Sequence, residues 1–179
     1  MSKVLTFMQH LPKSKGFDGE PTNFIAKIWK SVVFNNCKYQ PASERIPQPK
    51  HLSSFPSQYE LLSQHLIYPN VLYNGEELYC KKHTIREGDR WEAGDYASLR
   101  VWSGKPYRSK QIEFTQEVLI EKVYDFKIRN NKVYVNGKQF KNRKLLNLVR
   151  NDGLTLEQFW KFFYKDFTGQ IICWNDPKY

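Results

Sequence analysis

The sequence predicts an α+β fold, a small mixed β-barrel with flanking helices and a turn-rich insertion, in a single domain of residues 1–179. Three observations support this prediction. The second half contains several runs of β-branched and aromatic residues that are separated by turn signals. Apolar runs of strand character stand near both ends of the chain, and helical periodicity is confined to a few segments. A chain of this length with 40% hydrophobic residues can bury one sizeable core.

The N-terminal half supplies a strand, a helix and the insertion. Residues 4–8 form a short apolar run that predicts a buried strand. Apolar side chains recur at helical spacing between residues 24 and 33, which predicts a core helix. Residues 36–70 are largely polar and contain five prolines, so we interpret them as a turn-rich insertion with one short helix.

The C-terminal half is predicted to be mainly β-structure. Its expected strands are residues 96–102, 111–114, 118–128 and 132–135. Asn136-Gly137 is typical of a two-residue hairpin turn. Two helices follow, and the second begins with a capping box formed by Thr155 and Gln158. Residues 170–174 predict a last buried strand, which we expect to share the main sheet with the first strand.

The positive charge is concentrated in one part of the chain. The net charge is +10, and residues 100–150 contain 13 Lys and Arg against 4 Asp and Glu. Such a basic segment is typical of a nucleic-acid partner. The alternative interpretation is solubility, because small domains tolerate this charge without any partner.

Several classes of protein are disfavoured by composition. No apolar run approaches the ~20 residues needed to cross a membrane, and the first apolar run is too short for a secretory signal. We therefore expect a cytoplasmic protein with no membrane partner. The three cysteines and four histidines have no spacing typical of a metal site, so we expect neither a metal nor another cofactor.

A candidate site lies in the segment around Lys81, Thr84 and Arg86. In an extended strand, Thr84 and Arg86 point to one face while His83 and Ile85 point to the other. An amine, a hydroxyl and a guanidinium close together suit a phosphate or a base edge. The alternative is a solvated edge strand, and a one-residue slip would make Lys82 the inward amine.

A second candidate region is an aromatic and basic loop. Bases stack on aromatic rings, and interleaved cations contact the phosphates. The alternative is a hairpin tip whose aromatic residue packs onto the barrel. The predicted ligand-binding residues, together with Arg86 and Arg90, are Trp102, Lys105, Tyr107, Arg108 and Lys110.

Three motifs together resemble the ASCH domain family of the PUA-like superfamily, in particular uncharacterised bacterial and phage members. In chain order they are Lys81-x-x-Thr84-Ile85-Arg86, Gly94-Asp95 before a strand, and Asp152-Gly153-Leu154-Thr155-Leu156 at a helix start. The resemblance covers roughly residues 78–174 and leaves the insertion outside. It implies a PUA-like β-barrel whose cleft recognises RNA, a nucleotide or a modified base.

The resemblance also implies an enzymatic alternative. Some members with this pattern are amidohydrolases that remove the acetyl group from N4-acetylcytidine. Their catalytic lysine and threonine match Lys81 and Thr84, and their glutamate falls where this chain has Asp152. The aspartate is shorter by one methylene group.

The leading hypothesis is a recognition domain that binds RNA, another single-stranded nucleic acid, or a nucleotide in a basic cleft. The first alternative is an enzyme using the same cleft, either an amidohydrolase on acylated cytidine or a ribonuclease. A further alternative is a phage-derived module that binds a host protein through the insertion. The sequence leaves the oligomeric state open.

Overall fold

The computed structural model describes residues 2–34, 54, 55, 57, 79–175 and 177, and these residues form an α+β fold. The helices are α1 (Phe24–Trp29), continued by a π-helical turn (Lys30–Phe34), α2 (Asn142–Asn151) and α3 (Leu156–Phe162), with a 3-10 turn at Lys13–Lys15. The strands are β1 (Lys3–Phe7), β2 (His83–Glu87), β3 (Tyr96–Trp102), β4 (Gln111–Glu113), β5 (Val118–Leu119), β6 (Lys122–Arg129), β7 (Lys132–Val135), β8 (Lys138–Phe140) and β9 (Phe167–Cys173).

The described strands form two sheets. In the smaller sheet, β1 runs parallel to β3, and β3 pairs antiparallel with β4 and β5. The larger sheet has the order β2-β9-β6-β7-β8, and its pairs are all antiparallel. The expected hairpin connects β7 and β8, and both Asn136 and Gly137 adopt the positive φ that a primed turn requires.

One continuous apolar core joins the sheets and the helices. The Phe7 ring of β1 makes edge contacts with Phe24 of α1, with Phe114 and with Trp174. On the larger sheet, Phe126 of β6 packs against Phe159 of α3. The capping box at the start of α3 is present, because Thr155 and Gln158 exchange hydrogen bonds between side chain and main chain.

The α+β class is confirmed, but two details differ from the sequence prediction. The described strands form no single closed barrel, and β1 and β9 belong to different sheets. The expected strand over residues 118–128 is two strands, because the chain crosses between the sheets at Ile120. The Ile120 amide donates to the carbonyl of Asp95, which directly precedes β3 of the smaller sheet. The Glu121 amide donates instead to the carbonyl of Cys173 in β9 of the larger sheet.

The remaining sequence predictions concern the insertion, the cysteines and membrane-spanning segments. Nearly all of the predicted insertion at 36–70 lies outside the described residues, as does Cys37. Cys80 is partly exposed, and Cys173 is buried. Among the described helices, none combines the length and the apolar character needed to cross a membrane.

Candidate functional site

Four of the residues singled out in the sequence line one cavity of about 80 Å³ between β1, β2, α1 and the loop that joins α2 to α3. They are Lys81, Thr84, Arg86 and Asp152. The cavity is several times larger than the ~10–15 Å³ that a single water needs. It is much smaller than the ~300–1,000 Å³ of a site that encloses a whole small-molecule ligand. The cavity therefore has room for one functional group of a ligand.

Lys81 is the inward-pointing amine, and its main chain is fixed on both sides. Its amide donates to the carbonyl of Lys27 at 3.1 Å, and its carbonyl accepts from the Ser31 hydroxyl at 2.6 Å. The side chain is fully buried and lies over the ring of Phe24, with Nζ 4.4 Å from the ring centroid. Lys82 keeps partial exposure, so the alternative register is not adopted.

Asp152 meets Lys81 at the end of α2. The Lys81 ammonium donates to the Asp152 carboxylate and to its main-chain carbonyl. Gly153 follows with a positive φ of +75°. A Cβ atom at Gly153 would lie 3.2 Å from Lys81 Cβ, so a glycine lets the loop close over the lysine.

The cavity holds more positive than negative charge. Burial lowers the pKa of Lys81 to about 8, although the neighbouring Asp152 carboxylate opposes this shift. Burial also raises the pKa of Asp152, against the opposing effects of Lys81, Arg86 and Lys27. Three cationic side chains thus act on a single carboxylate. A ligand group that carries negative charge would balance this excess.

Arg86 lies at the edge of the cavity. Its guanidinium donates to the Thr6 carbonyl at 2.5 Å and sits 5.4 Å from the centroid of the Phe7 ring. Burial lowers the pKa of Arg86, while the Asp152 carboxylate opposes this shift and the charge of Arg90 adds to it. Within the described residues, no carboxylate oxygen lies within 4.0 Å of Arg86.

Thr84 places a hydroxyl in the same cavity. It belongs to β2, pairs with Ile172 of β9, and is buried. Its hydroxyl forms no hydrogen bond with the described residues. His83, the preceding residue, does not line the cavity. Burial holds the pKa of His83 well below 6.5, and the positive charge of Lys81 lowers it further. His83 is therefore neutral near pH 7.

The aromatic and basic loop lies between β3 and β4 and presents Tyr107 to solvent. The Tyr107 side chain is 90% exposed, and its ring centroid is 5.3 Å from that of the half-buried Trp102. The Ser109 hydroxyl holds the loop by accepting from the Gly104 amide and donating to the Lys105 carbonyl. The loop follows β3 next to β1, because Phe7 of the cavity lining pairs with Val101, the residue before Trp102.

The other residues predicted to bind a ligand are cations at the surface. Lys105, Arg108 and Lys110 are exposed on the loop. Arg90 is exposed as well, and its guanidinium lies 5.8 Å from the centroid of the Trp91 ring. The structure thus separates the four polar residues in the cavity from a group of exposed residues at the surface.

Sequence reasoning missed Lys27 and the aromatic wall of the cavity. Lys27 Nζ donates to the Gly153 carbonyl at 2.7 Å, so this lysine supports the loop that carries Asp152. Phe24 and Phe162 also line the cavity. Their helical spacing indicated burial, but no local signal showed which ligand group they would face.

Comparisons of the chain with protein-family models, with curated proteins and with solved structures give no match. Within the described residues, no group of three or more His, Cys, Asp or Glu side chains is arranged to hold a metal ion. What the site can do therefore follows from its geometry and charge.

Proposed function

We propose that the protein recognises a nucleotide, free or within single-stranded RNA, through the cavity and the adjoining loop. The observation that carries this proposal is the cationic cavity next to an exposed aromatic ring. Lys81 and Arg86 supply positive charge at the cavity, and Tyr107 belongs to the loop that follows β3, the strand paired with the cavity-lining β1. The motif resemblance to the ASCH family supports the same function, and with it we propose a PUA-like architecture.

The two parts of the site suit two parts of a nucleotide. The cavity accepts one functional group, and its excess of positive charge favours a phosphate oxygen over a neutral group. Arg86 is suited to this role because its guanidinium donors are fixed in a fork. The base then lies outside the cavity, where the exposed face of Tyr107 provides a stacking surface.

Calorimetric titration with cytidine monophosphate, cytidine and inorganic phosphate tests this function. We expect the monophosphate to bind more tightly than either fragment, because only the monophosphate engages both the cavity and Tyr107. Arg86→Gln should weaken the monophosphate and phosphate but not cytidine. The matched control is Arg143→Gln, which changes an exposed cation on α2 outside the cavity lining. Equal affinity for all three ligands, or no binding by the parent, would contradict the proposal.

A second candidate function is hydrolysis of an acyl amide on a cytosine amino group. The observation that favours it is the buried pair of Lys81 and Asp152 in a cavity that also contains the Thr84 hydroxyl. A lysine pKa of about 8 leaves a useful fraction of neutral amine near pH 7. The aspartate reaches Lys81 despite its shorter side chain, so the lysine still has a carboxylate partner.

The chemical steps would give Thr84, Lys81 and Arg86 separate roles, with Lys81 acting first as base and then as acid. The Thr84 oxygen attacks the acyl carbon while neutral Lys81 takes the hydroxyl proton. The carbon–nitrogen bond then breaks, and Lys81 returns a proton to the departing amine. Arg86 stabilises the negative charge that forms on the acyl oxygen. Water finally releases acetate from Thr84. Chromatography of N4-acetylcytidine incubated with the protein tests this candidate through the appearance of cytidine.

A further inference from the structure

The outward face of β6, β7 and β8 forms a second feature, separate from the cavity. Cross-strand pairing places Lys127 opposite Tyr134, and Tyr134 opposite Gln139. Arg129 is opposite Lys132 on the same face. Residues directly opposite each other in antiparallel strands project to the same side. We call Lys127, Arg129, Lys132, Tyr134 and Gln139 the basic sheet face.

The other side of these strands explains why this face is open. Phe126, Ile128 and Val133 alternate with the residues of the basic sheet face and are buried in the core. The core side is covered by α3, where Phe159 packs on Phe126. The lysine and arginine side chains of the basic sheet face are exposed, while Tyr134 and Gln139 are partly exposed.

Most of the net positive charge of the chain is found in this region. Residues 122–144 contain eight Lys and Arg and a single acidic residue, Asp125. Lys127 and Lys132 form no ion pair within the described residues. Arg129 contacts Asp166 at 3.6 Å, but both side chains are about half exposed, so this pair neutralises the charge only weakly. Further exposed cations follow at Lys138, Lys141, Arg143 and Lys144.

We propose that the basic sheet face binds a single-stranded nucleic acid, with a base stacked on Tyr134 and phosphates contacted by Lys127 and Lys132. An aromatic ring within a row of cations on an open sheet provides both stacking and phosphate contacts. A membrane surface fits less well, because large exposed apolar side chains occur elsewhere in the described residues. They are Tyr96, Tyr107, Leu156 and Tyr164.

This proposal does not depend on what occupies the cavity. The cavity residues of β2 lie at one edge of the larger sheet, and β8 lies at the other edge. Single strands are favoured over duplexes, since a base must be unstacked to lie against Tyr134. RNA and DNA share this chemistry, and the experiment compares them.

Fluorescence anisotropy with a labelled single strand of about 12 nucleotides tests the proposal. RNA, DNA and the corresponding duplex are compared at several salt concentrations. Tyr134→Leu should weaken single-strand binding about 5- to 150-fold, whereas Tyr134→Phe should retain it. Lys127→Ala combined with Lys132→Ala should lower the slope of log K against log salt by about 1.4. The matched control combines Lys13→Ala and Lys15→Ala, two exposed lysines of the 3-10 turn, which contacts α3 on the core side of the sheet.

The outcomes separate this proposal from that for the cavity, because cytidine monophosphate binding is measured in the same variants. Weaker strand binding with unchanged monophosphate binding supports a distinct site on the sheet. The proposal fails if the control weakens binding as much as the sheet variants, or if Tyr134→Leu has no effect. It also fails if the parent prefers the duplex, or binds anionic phosphatidylserine vesicles but no strand. In each case, the binding of cytidine monophosphate is a separate result that tests only the proposal for the cavity.

Discussion

The Lys81 ammonium donates both to the carboxylate and to the main-chain carbonyl of Asp152, and both residues are buried. A residue on the segment before β2 is thus connected to a residue 71 positions later, at the end of α2. A buried charge is costly when its partner is removed. The pair therefore both holds the end of α2 against the segment before β2 and places two ionisable groups in the cavity.

The first prediction concerns the stability of this pair. Lys81→Met should lower the free energy of unfolding by about 3–5 kcal/mol, because it leaves a buried carboxylate without its partner. Asp152→Asn should cost less, since its amide oxygen and main-chain carbonyl still accept from Lys81. The double variant should cost less than the sum of the two, as urea denaturation would measure.

The exposed pair of Lys161 and Glu157 on α3 provides the control for this measurement. Solvent screens that pair, so Lys161→Met should change the unfolding midpoint very little. Strict additivity of Lys81→Met and Asp152→Asn would contradict an energetic coupling between them.

The second prediction is that binding and hydrolysis depend on pH in opposite directions. The pKa of Lys81 is lowered to about 8, so the side chain is charged below that pH and neutral above it. Binding of cytidine monophosphate should weaken as pH rises through about 8, because a cation is lost. Amide hydrolysis should instead become faster over the same range, because the neutral amine is the base.

Measurements between about pH 7 and about pH 10 keep the phosphate dianionic and so isolate the titration of Lys81. Lys82→Met should preserve both profiles, because Lys82 lies outside the cavity lining. A binding constant that does not change across this range would show that Lys81 does not contact the anion.

The third prediction compares two glycines with positive φ, Gly153 at +75° and Gly88 at +88°. Alanine at either position is strained by about 1–2 kcal/mol. Gly153→Ala should cost more, because its Cβ would crowd Lys81, whereas nothing lies within 4 Å of a Cβ at Gly88. Gly153→Ala should also weaken nucleotide binding, and Gly88→Ala should not. Equal losses of stability in urea denaturation would argue against close packing of the Gly153 loop on Lys81.

The sequence predicted the local parts of the site better than the long-range parts. The period-two alternation of β2 predicted that Thr84 and Arg86 share a face, and both line the cavity. Ile85, which was expected on the opposite face, lines the cavity as well. The contact of Lys27 with Gly153 spans 126 positions, and no local pattern indicates it. The division into two sheets was missed because Ile120-Glu121, where the chain changes sheet, contains neither glycine nor proline.

The fourth prediction concerns the aromatic and basic loop between β3 and β4. Tyr107→Ala should weaken binding of single-stranded RNA at every salt concentration, because stacking is not screened by salt. Arg108→Ala and Lys110→Ala should each lower the slope of log K against log salt by about 0.7, through loss of one phosphate contact. Anisotropy titrations measure both effects, with Lys13→Ala as the control. A Tyr107→Ala variant that differs from the parent only at low salt would contradict stacking.

The fifth prediction tests the enzymatic candidate through the Thr84 hydroxyl. Thr84→Val replaces a hydroxyl with a methyl group of similar size and keeps the β-branched shape that suits β2. Because the hydroxyl bonds to none of the described residues, the melting temperature should change little. Release of acetate from N4-acetylcytidine should be abolished, since the attacking oxygen is gone.

Thr168→Val, on the exposed start of β9, is the control and should leave turnover unchanged. If the parent protein releases no acetate but binds cytidine monophosphate, the cavity serves recognition alone. If Thr84→Val retains full turnover, Thr84 is not the nucleophile, and a water molecule activated by Lys81 must attack the acyl carbon instead. These results distinguish the two functions because covalent catalysis requires the Thr84 oxygen, whereas phosphate binding depends mainly on the charges of Lys81 and Arg86.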